Sequence, residues 1–306
     1  MLSLGIDIGG TKIEAVALDQ QGDIVYRQRY ATEKSSYPIF FRQLCDVIAQ
    51  ARQDIGPVSI GIGLPGTVEV SNGLIKNSNI LAINQQPLHA MLVEFAAQPV
   101  AISNDANCFT LSEAIDGAGQ GFDTVFGVIL GTGCGGGIAI HRQVIDGRNR
   151  SAGEWGHNVL PRYTPEQDGP SVVCYCGKTN CTESFISGTG LSQRYNQRYQ
   201  ASLSAVEIMA AVAAGEPQAV EYVDLFQDQL ARALASVVNL LDPDVFVIGG
   251  GLSNCRPLYQ GLEARIGRYT FSNTFFTPIV PAMHGDSSGV RGAAWLGAGA
   301  TARALC

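Results

Sequence analysis

Asp7-Ile8-Gly9-Gly10-Thr11-Lys12 sets an acid at the end of an apolar run and follows it with two glycines, a hydroxyl and a lysine. Glycines let a backbone approach a ligand closely. Exposed N–H groups, a hydroxyl and an ammonium suit a phosphate, and Asp7 suits a hydrated Mg2+ ion. A plain hairpin would use the same glycines. A second segment of this kind, Gly131-Thr132-Gly133-Cys134-Gly135-Gly136-Gly137, follows another apolar run. Neither segment has P-loop spacing. Neither fits the strand–GxGxxG–helix context of a dinucleotide fold, because a strand is expected after each turn. Asn104-Asp105-Ala106-Asn107 lies where a strand gives way to a helix. A carboxylate at Asp105 could take a proton from a sugar hydroxyl or serve as a helix cap.

His157, Cys174, Cys176 and Cys181 offer one imidazole and three thiolates, a set that closes a tetrahedral zinc shell. With no open position, such a metal would be structural. Three free or buried thiols are the alternative. Glu154 and Glu183 stand beside these ligands and could accept hydrogen bonds from a polyol, or simply face solvent. Gly249-Gly250-Gly251 after a buried strand could let an adenine ring lie against backbone, although a strand-to-helix turn uses the same residues.

These residues need strands and helices to hold them. Ser3–Ile8, Lys12–Leu18 and Asp23–Arg29 read as three antiparallel strands. Apolar spacing predicts helices over Pro38–Arg52, Leu88–Ala96, Asn107–Ile115 and Gln218–Leu241. The face predicted for the last comprises Val220, Val223, Leu230, Leu234, Val237, Val238 and Leu241. Buried strands are expected at Val58–Leu64, Val100–Ser103, Thr124–Leu130 and Val245–Ile248, with Ile138–His141 and Val144–Ile145 between the last two. A final helix is expected over Ser287–Leu296, where Gly289, Gly292, Ala293 and Ala294 allow close packing. The order strand, glycine turn, strand, strand occurs twice, from residue 3 and from residue 124, which suggests duplication of a fold unit. The pattern is α/β in two lobes, expected over 1–118, completed by a helix in 287–306, and over 119–286 with the metal loop.

Composition closes off other classes. The net charge of −7 speaks against a nucleic-acid partner and an anionic membrane surface. MLSLGIDIGG lacks the basic start and apolar stretch of a signal peptide, and no apolar run of about 18 residues occurs, so a cytoplasmic location is expected. Asp7 follows so soon after Met1 that no DNA-binding segment is expected before it. Cys45, Cys108, Cys134, Cys255 and Cys306 are scattered and read as small core or surface residues.

Taken together and in order, Asp7–Lys12, Asn104–Asn107, Gly131–Gly137, Glu154–His157, Cys174–Glu183 and Gly249–Gly251 resemble the ROK family of sugar kinases over nearly the whole chain. The resemblance implies a two-lobed actin-like ATPase (ribonuclease H-like) fold with duplicated βββαβαβα units, closing on ATP and a hexose. It implies Asp105 as general base. Gly5, Asp7, Gly9, Gly10, Thr11, Lys12, Gly131, Thr132, Gly133, Gly135, Gly136 and Gly137 would serve the phosphates and Mg2+, and Gly249, Gly250 and Gly251 the adenosine. Asn104, Asp105, Glu154, His157 and Glu183 would bind the sugar, with Gly66 and Asn79 at its edge. His157 would also ligate Zn2+ with Cys174, Cys176 and Cys181, and a homodimer is expected. The segments Ala152–Asn158, Cys174–Lys178 and Ser184–Gly190 look most like bacterial fructokinases of the manno(fructo)kinase type, which implies D-fructose as substrate, with mannose, glucose or an N-acetylhexosamine as alternatives and a non-catalytic sugar-binding protein as the rival class. One departure is Asn180, where the family usually has Gly before the third cysteine. Asn tolerates a left-handed backbone better than most residues.

Overall fold

The computed structural model describes residues 1–304, so Cys306 lies outside the described residues. The described chain divides into two compact units, one of residues 1–121, 137–152 and 286–304, the other of 122–136 and 153–285. Residues 137–152, expected in the larger lobe, cluster with the first unit.

The first unit is built on a five-stranded sheet. Its strands are β1 (Leu2–Ile8), β2 (Lys12–Leu18), β3 (Ile24–Ala31), β4 (Val58–Leu64) and, after a small hairpin of β5 (Thr67–Val68) and β6 (Ile75–Lys76), β7 (Val100–Asn104). They lie in the order β3-β2-β1-β4-β7, with the β1–β2–β3 meander antiparallel and β1, β4 and β7 parallel. Helices α1 (Tyr37–Ile55) and α2 (Leu88–Ala96) join its strands, and α3 (Asp105–Asp116) leaves β7 directly. Phe40, Leu44, Val47 and Ile48 of α1 share a core with Leu4, Ile6, Ile60 and Ile62 of the sheet.

The second sheet repeats this plan. Its strands are β8 (Thr124–Leu130), β9 (Cys134–Ile140), β10 (Gln143–Val144), β11 (Val245–Gly249) and β12 (Ile279–Pro281), in the order β10-β9-β8-β11-β12. Position for position, β10-β9-β8-β11-β12 matches β3-β2-β1-β4-β7, again with an antiparallel outer pair and parallel β8, β11 and β12. The duplication therefore exists as topology. Helices α4 (Pro165–Asp168), α5 (Glu183–Ile186), α6 (Gly188–Tyr199), α7 (Ala205–Ala213), α8 (Pro217–Leu241) and α9 (Leu262–Gly267) fill the rest of the second unit. The chain returns to the first unit in α10 (Ser288–Ala304).

Two expectations need correction. Val220 is exposed; α8 turns the expected Val223, Leu230 and Leu234 inward, joined by Ala219, Tyr222 and Phe226. The glycine turn expected over 131–137 ends early, because β9 begins at Cys134 and takes in Gly135, Gly136 and Gly137. Bare backbone there serves packing: a Cβ on Gly136 would stand 2.6 Å from the Trp155 ring, and one on Gly137 would stand 2.4 Å from Thr110 Oγ1. The small residues of α10 behave as expected. A Cβ on Gly61 of β4 would lie 1.9 Å from the Ala293 carbonyl oxygen, so helix and sheet backbones touch. Gly5 of β1 belongs to the same seam, its absent Cβ being 2.1 Å from the Val290 carbonyl oxygen, so it serves packing here.

Candidate active site

In the first unit, β1 ends at Asp7–Ile8 and the chain turns through Gly9 and Gly10, closed by Gly9 N–H donating to the Lys12 carbonyl at 2.8 Å. Antiparallel register sets Asp7 across from Glu14. Burial first, then the charges of Asp105 and Glu14, push the Asp7 carboxyl up from 3.8 to about 7 against the pull of Lys12. Glu14 is itself buried. Desolvation raises its pKa, but hydrogen bonds from Arg29 and Arg27 outweigh this and hold it below the usual carboxylate range. Arg27 lies 2.6 Å and Arg29 3.1 Å from it, with Lys12 at 3.7 Å. Sequence reasoning missed Glu14, although the tight hairpin fixes its register opposite Asp7.

At the C-terminal end of β7, Asn104 caps α3: its side chain accepts from Asn107 N–H at 3.1 Å. The capping role considered for Asp105 thus falls one residue earlier. Asp105 is the first residue of α3, exposed, with Oδ1 accepting from Ala106 N–H at 2.8 Å. Asp146, also missed, accepts from Ser103 Oγ and from Asn107 Nδ2, each at 3.1 Å, and so ties the 145–150 segment to the base of Asp105. Gly66 has φ of 102°, and a Cβ there would meet the Lys76 carbonyl oxygen at 2.5 Å, so only glycine fits. Asn79 is exposed, and its Oδ1 would be 3.9 Å from a Cβ on Gly10, which sets it beside the first turn.

In the second unit, the turn after β8 spans Gly131–Gly133. Gly250, with φ of 81°, packs so tightly on it that a Cβ would be 2.5 Å from the Leu130 carbonyl oxygen and 2.9 Å from Gly131 N, while Gly249 is buried in β11 and Gly251 borders open space. On its other side Gly188 N–H, at the start of α6, donates to the Gly131 carbonyl at 2.7 Å. The turn is therefore gripped from both sides, while Gly131 itself faces open space.

Trp155 explains how Glu154 and His157 are held. Its indole N–H donates to the Gly135 carbonyl at 3.0 Å and its ring packs edge-on against Phe126. Gly156 fits where any side chain would strike the Cys134 carbonyl, at 2.3 Å. Glu154, just before, is exposed. His157 turns toward the cysteines, with Nδ1 at 3.8 Å from Cys174 Sγ, while Cys176 and Cys181 Sγ are 3.5 Å apart. The four donor atoms all lie within 4.8 Å of one another. Tetrahedral zinc holds such atoms about 3.5–3.8 Å apart, so the donor set and its spread fit that ion. Burial pushes the Cys181 thiol up to about 12, a cost that a bound cation removes. Asn180 is left-handed, with φ of 57°. Its carboxamide oxygen accepts from Val172 N–H at 2.9 Å and Ser171 Oγ at 3.0 Å, bonds a glycine could not make.

Glu183 joins these features. One carboxylate oxygen accepts from Cys134 N–H at 3.0 Å, just past the turn, and the other lies 3.7 Å from Cys174 Sγ. Glu183, Thr132 and Tyr175 line a cavity of about 630 Å³. Among the described residues no helix is long and apolar enough to cross a membrane.

Two acid-bearing strand ends, a glycine turn in each sheet and a four-donor cluster on an actin-like ATPase fold define the class. Residues 3–299 match the ROK family, and the chain belongs to it. N-acetyl-D-glucosamine kinase of Yersinia pseudotuberculosis is 41% identical over 296 residues, covering 95% of this chain and 97% of that protein. Among solved structures, the ROK hexokinase from Thermus thermophilus has a TM-score of 0.85 at 29% identity, covering 97% of each chain. The ROK family glucokinase from Streptomyces griseus, in complex with glucose and AMPPNP, has a TM-score of 0.76 at 29% identity and covers 97% of this chain and 99% of that one. The Yersinia relative is named for N-acetyl-D-glucosamine, where the sequence segments had suggested fructose.

Proposed function

We propose that this ATP-dependent sugar kinase phosphorylates N-acetyl-D-glucosamine or a closely similar hexose, with Asp105 as the general base. The observation that carries the chemistry is the pairing of acids in the first unit. Asn104 takes the cap, Asp105 stays exposed at the start of α3, and Asp7 lies near enough to feel its charge. Asp105 accepts the proton of the attacking sugar hydroxyl as its oxygen bonds to the γ-phosphorus. The bond from that phosphorus to the bridging oxygen breaks, and ADP leaves with the electron pair.

Positioning and charge neutralisation supply most of such a rate. The N–H groups of Gly9–Lys12 and Gly131–Gly133 suit the phosphates, and Gly250 and Gly251 the adenosine. Mg2+, when bound, neutralises charge on the transferring phosphoryl group, and Asp7 and its surroundings suit it; a cation beside Asp7 would bring its raised pKa back down. Asn104, Glu154, His157 and Glu183 hold sugar hydroxyls, with Gly66 and Asn79 at the edge. His157, Cys174, Cys176 and Cys181 would hold zinc as a structural ion, since protein would fill all four positions, and that would fix the His157 ring.

The substrate reading is supported by the curated relative. D-Fructose is the second reading, favoured by Ala152–Asn158, Cys174–Lys178 and Ser184–Gly190. The test is ADP release with magnesium and ATP over N-acetylglucosamine, fructose, mannose, glucose and N-acetylmannosamine, in the wild type and Asp105→Asn. Turnover led by N-acetylglucosamine and reduced at least about 100-fold in the variant, with the fold retained because Asn104 holds the cap, is the expected result. A lead for fructose moves the substrate and keeps the mechanism; full activity in Asp105→Asn removes the base assignment.

A further inference from the structure

The zinc loop carries a side chain that neither the metal nor the fold requires. Tyr175 lies between two cysteine ligands and is 83% exposed, yet its hydroxyl is 3.1 Å from His157 Nε2 and its ring stands edge-on to the imidazole at 5.4 Å. His157 Nδ1 is the nitrogen that faces Cys174 Sγ. A metal on Nδ1 uses that lone pair, so Nε2 carries the hydrogen and donates it. The acceptor it meets here is the phenolic oxygen of Tyr175.

A sugar hydroxyl oxygen is the same kind of acceptor, and Nε2 is the one imidazole nitrogen left to read it. Tyr175 also stands on the wall of the cavity that contains Glu183 and Thr132, with Ser171, Thr189 and Gln193 as further polar lining. This hydroxyl- and amide-rich wall, with Glu183 and Arg194 as its charged members and one aromatic ring, suits a polyol.

We propose that Tyr175 is a specificity-determining residue of the sugar site, its phenol and a substrate hydroxyl being alternative partners for one hydrogen bond at His157 Nε2. In the sugar-free protein the phenol occupies the donor and keeps the imidazole oriented. A sugar binds by exchanging its own oxygen for the phenol, and the ring, on its exposed side chain, then borders the substituent carried next to that oxygen. Sugars differing at that position are distinguished by how they meet the ring. The inference rests on His157 reading the sugar, as in the proposed function.

The experiment compares wild type, Tyr175→Phe and Tyr175→Ala for sugar KM, kcat, ATP KM and zinc content across the same five sugars, with calorimetric sugar binding in the absence of ATP. Phe removes the competing oxygen and keeps the ring. It is expected to tighten sugar binding and lower sugar KM by about two- to tenfold, the worth of one neutral hydrogen bond, with kcat, ATP KM and zinc content unchanged. Ala removes the ring as well and is expected to shift the ratio of kcat/KM between N-acetylated and plain hexoses. An unchanged or raised sugar KM in Tyr175→Phe overturns the inference, as does a sugar effect that appears only together with zinc loss. Wild type that binds sugars without phosphorylating them overturns the kinase reading alone, because the binding arm still tests Tyr175.

Discussion

Asp7→Asn should stabilise the sugar-free protein while abolishing its activity, and only above a certain pH. In the folded chain the Asp7 carboxyl holds its proton to about pH 7, against an ordinary value of 3.8, chiefly because it is desolvated and then because Asp105 and Glu14 face it. Between those two values the folded state binds a proton that the unfolded state has released. Stability therefore falls as pH rises through that window, and the whole penalty is present above it. Carrying a carboxyl from 3.8 to about 7 corresponds to at most about 4 kcal/mol. An amide keeps the shape, must still be desolvated and forgoes the attraction of Lys12, so a gain of about 1–3 kcal/mol is expected at pH 8. For a unit of this size that is several degrees in unfolding temperature. Near pH 4 the difference should shrink toward zero. Thermal unfolding of both proteins in magnesium-free buffer at pH 4.5, 6 and 8 measures it, each variant being compared with wild type at the same pH so that other titrating groups cancel. A variant less stable at pH 8, or a gap that does not change with pH, would refute the reasoning.

Two further outcomes follow from the metal loop. Cys181→Ser should lose zinc, measured by elemental analysis per chain, and with it sugar turnover, whereas Cys255→Ser, half-buried and far along the chain, should keep both. Asn180→Gly keeps the left-handed backbone but deletes two hydrogen bonds from the 171–172 backbone and hydroxyl; it should lower the free energy of holding the loop by about 1–2 kcal/mol, seen as faster zinc loss to a chelator. An unchanged rate would show that the carboxamide adds nothing to the loop.

Much of the fold was legible because it depends on local order. Lys12–Leu18, Val58–Leu64, Leu88–Ala96 and Thr124–Leu130 lie where apolar runs and periodicity set them. The duplication was legible as a repeated order of elements and is met again in the matching strand orders of the two sheets. What failed was the purpose of particular glycines. Gly136 and Gly137 read as part of a ligand turn, and the family resemblance set Gly5 among the phosphate residues, because a bare backbone looks alike whether a phosphate or a neighbouring chain segment approaches it. Only the positions of Val290, Trp155 and Thr110 reveal the second case. Helices α6 and α7, rich in polar and small residues, gave no clear apolar period to read.

The sequence by itself determined the residue types in the right order: Asp7, Asp105, two glycine turns, and His157 with three cysteines. Those types carry their chemistry wherever they are placed, since a thiolate set wants a soft cation and a carboxylate wants a proton. The tertiary structure decided which of them can use it. Asn104 rather than Asp105 caps α3, Glu14 faces Asp7 across a hairpin, and Glu183 spans from Cys134 N–H to Cys174. Tyr175 sits on His157 Nε2, the imidazole nitrogen turned away from Cys174. The cap and the hairpin pair are local, but the Glu183 and Tyr175 contacts join residues far apart in the chain, and the energies of all of them depend on distance and burial, which no spacing along a sequence encodes.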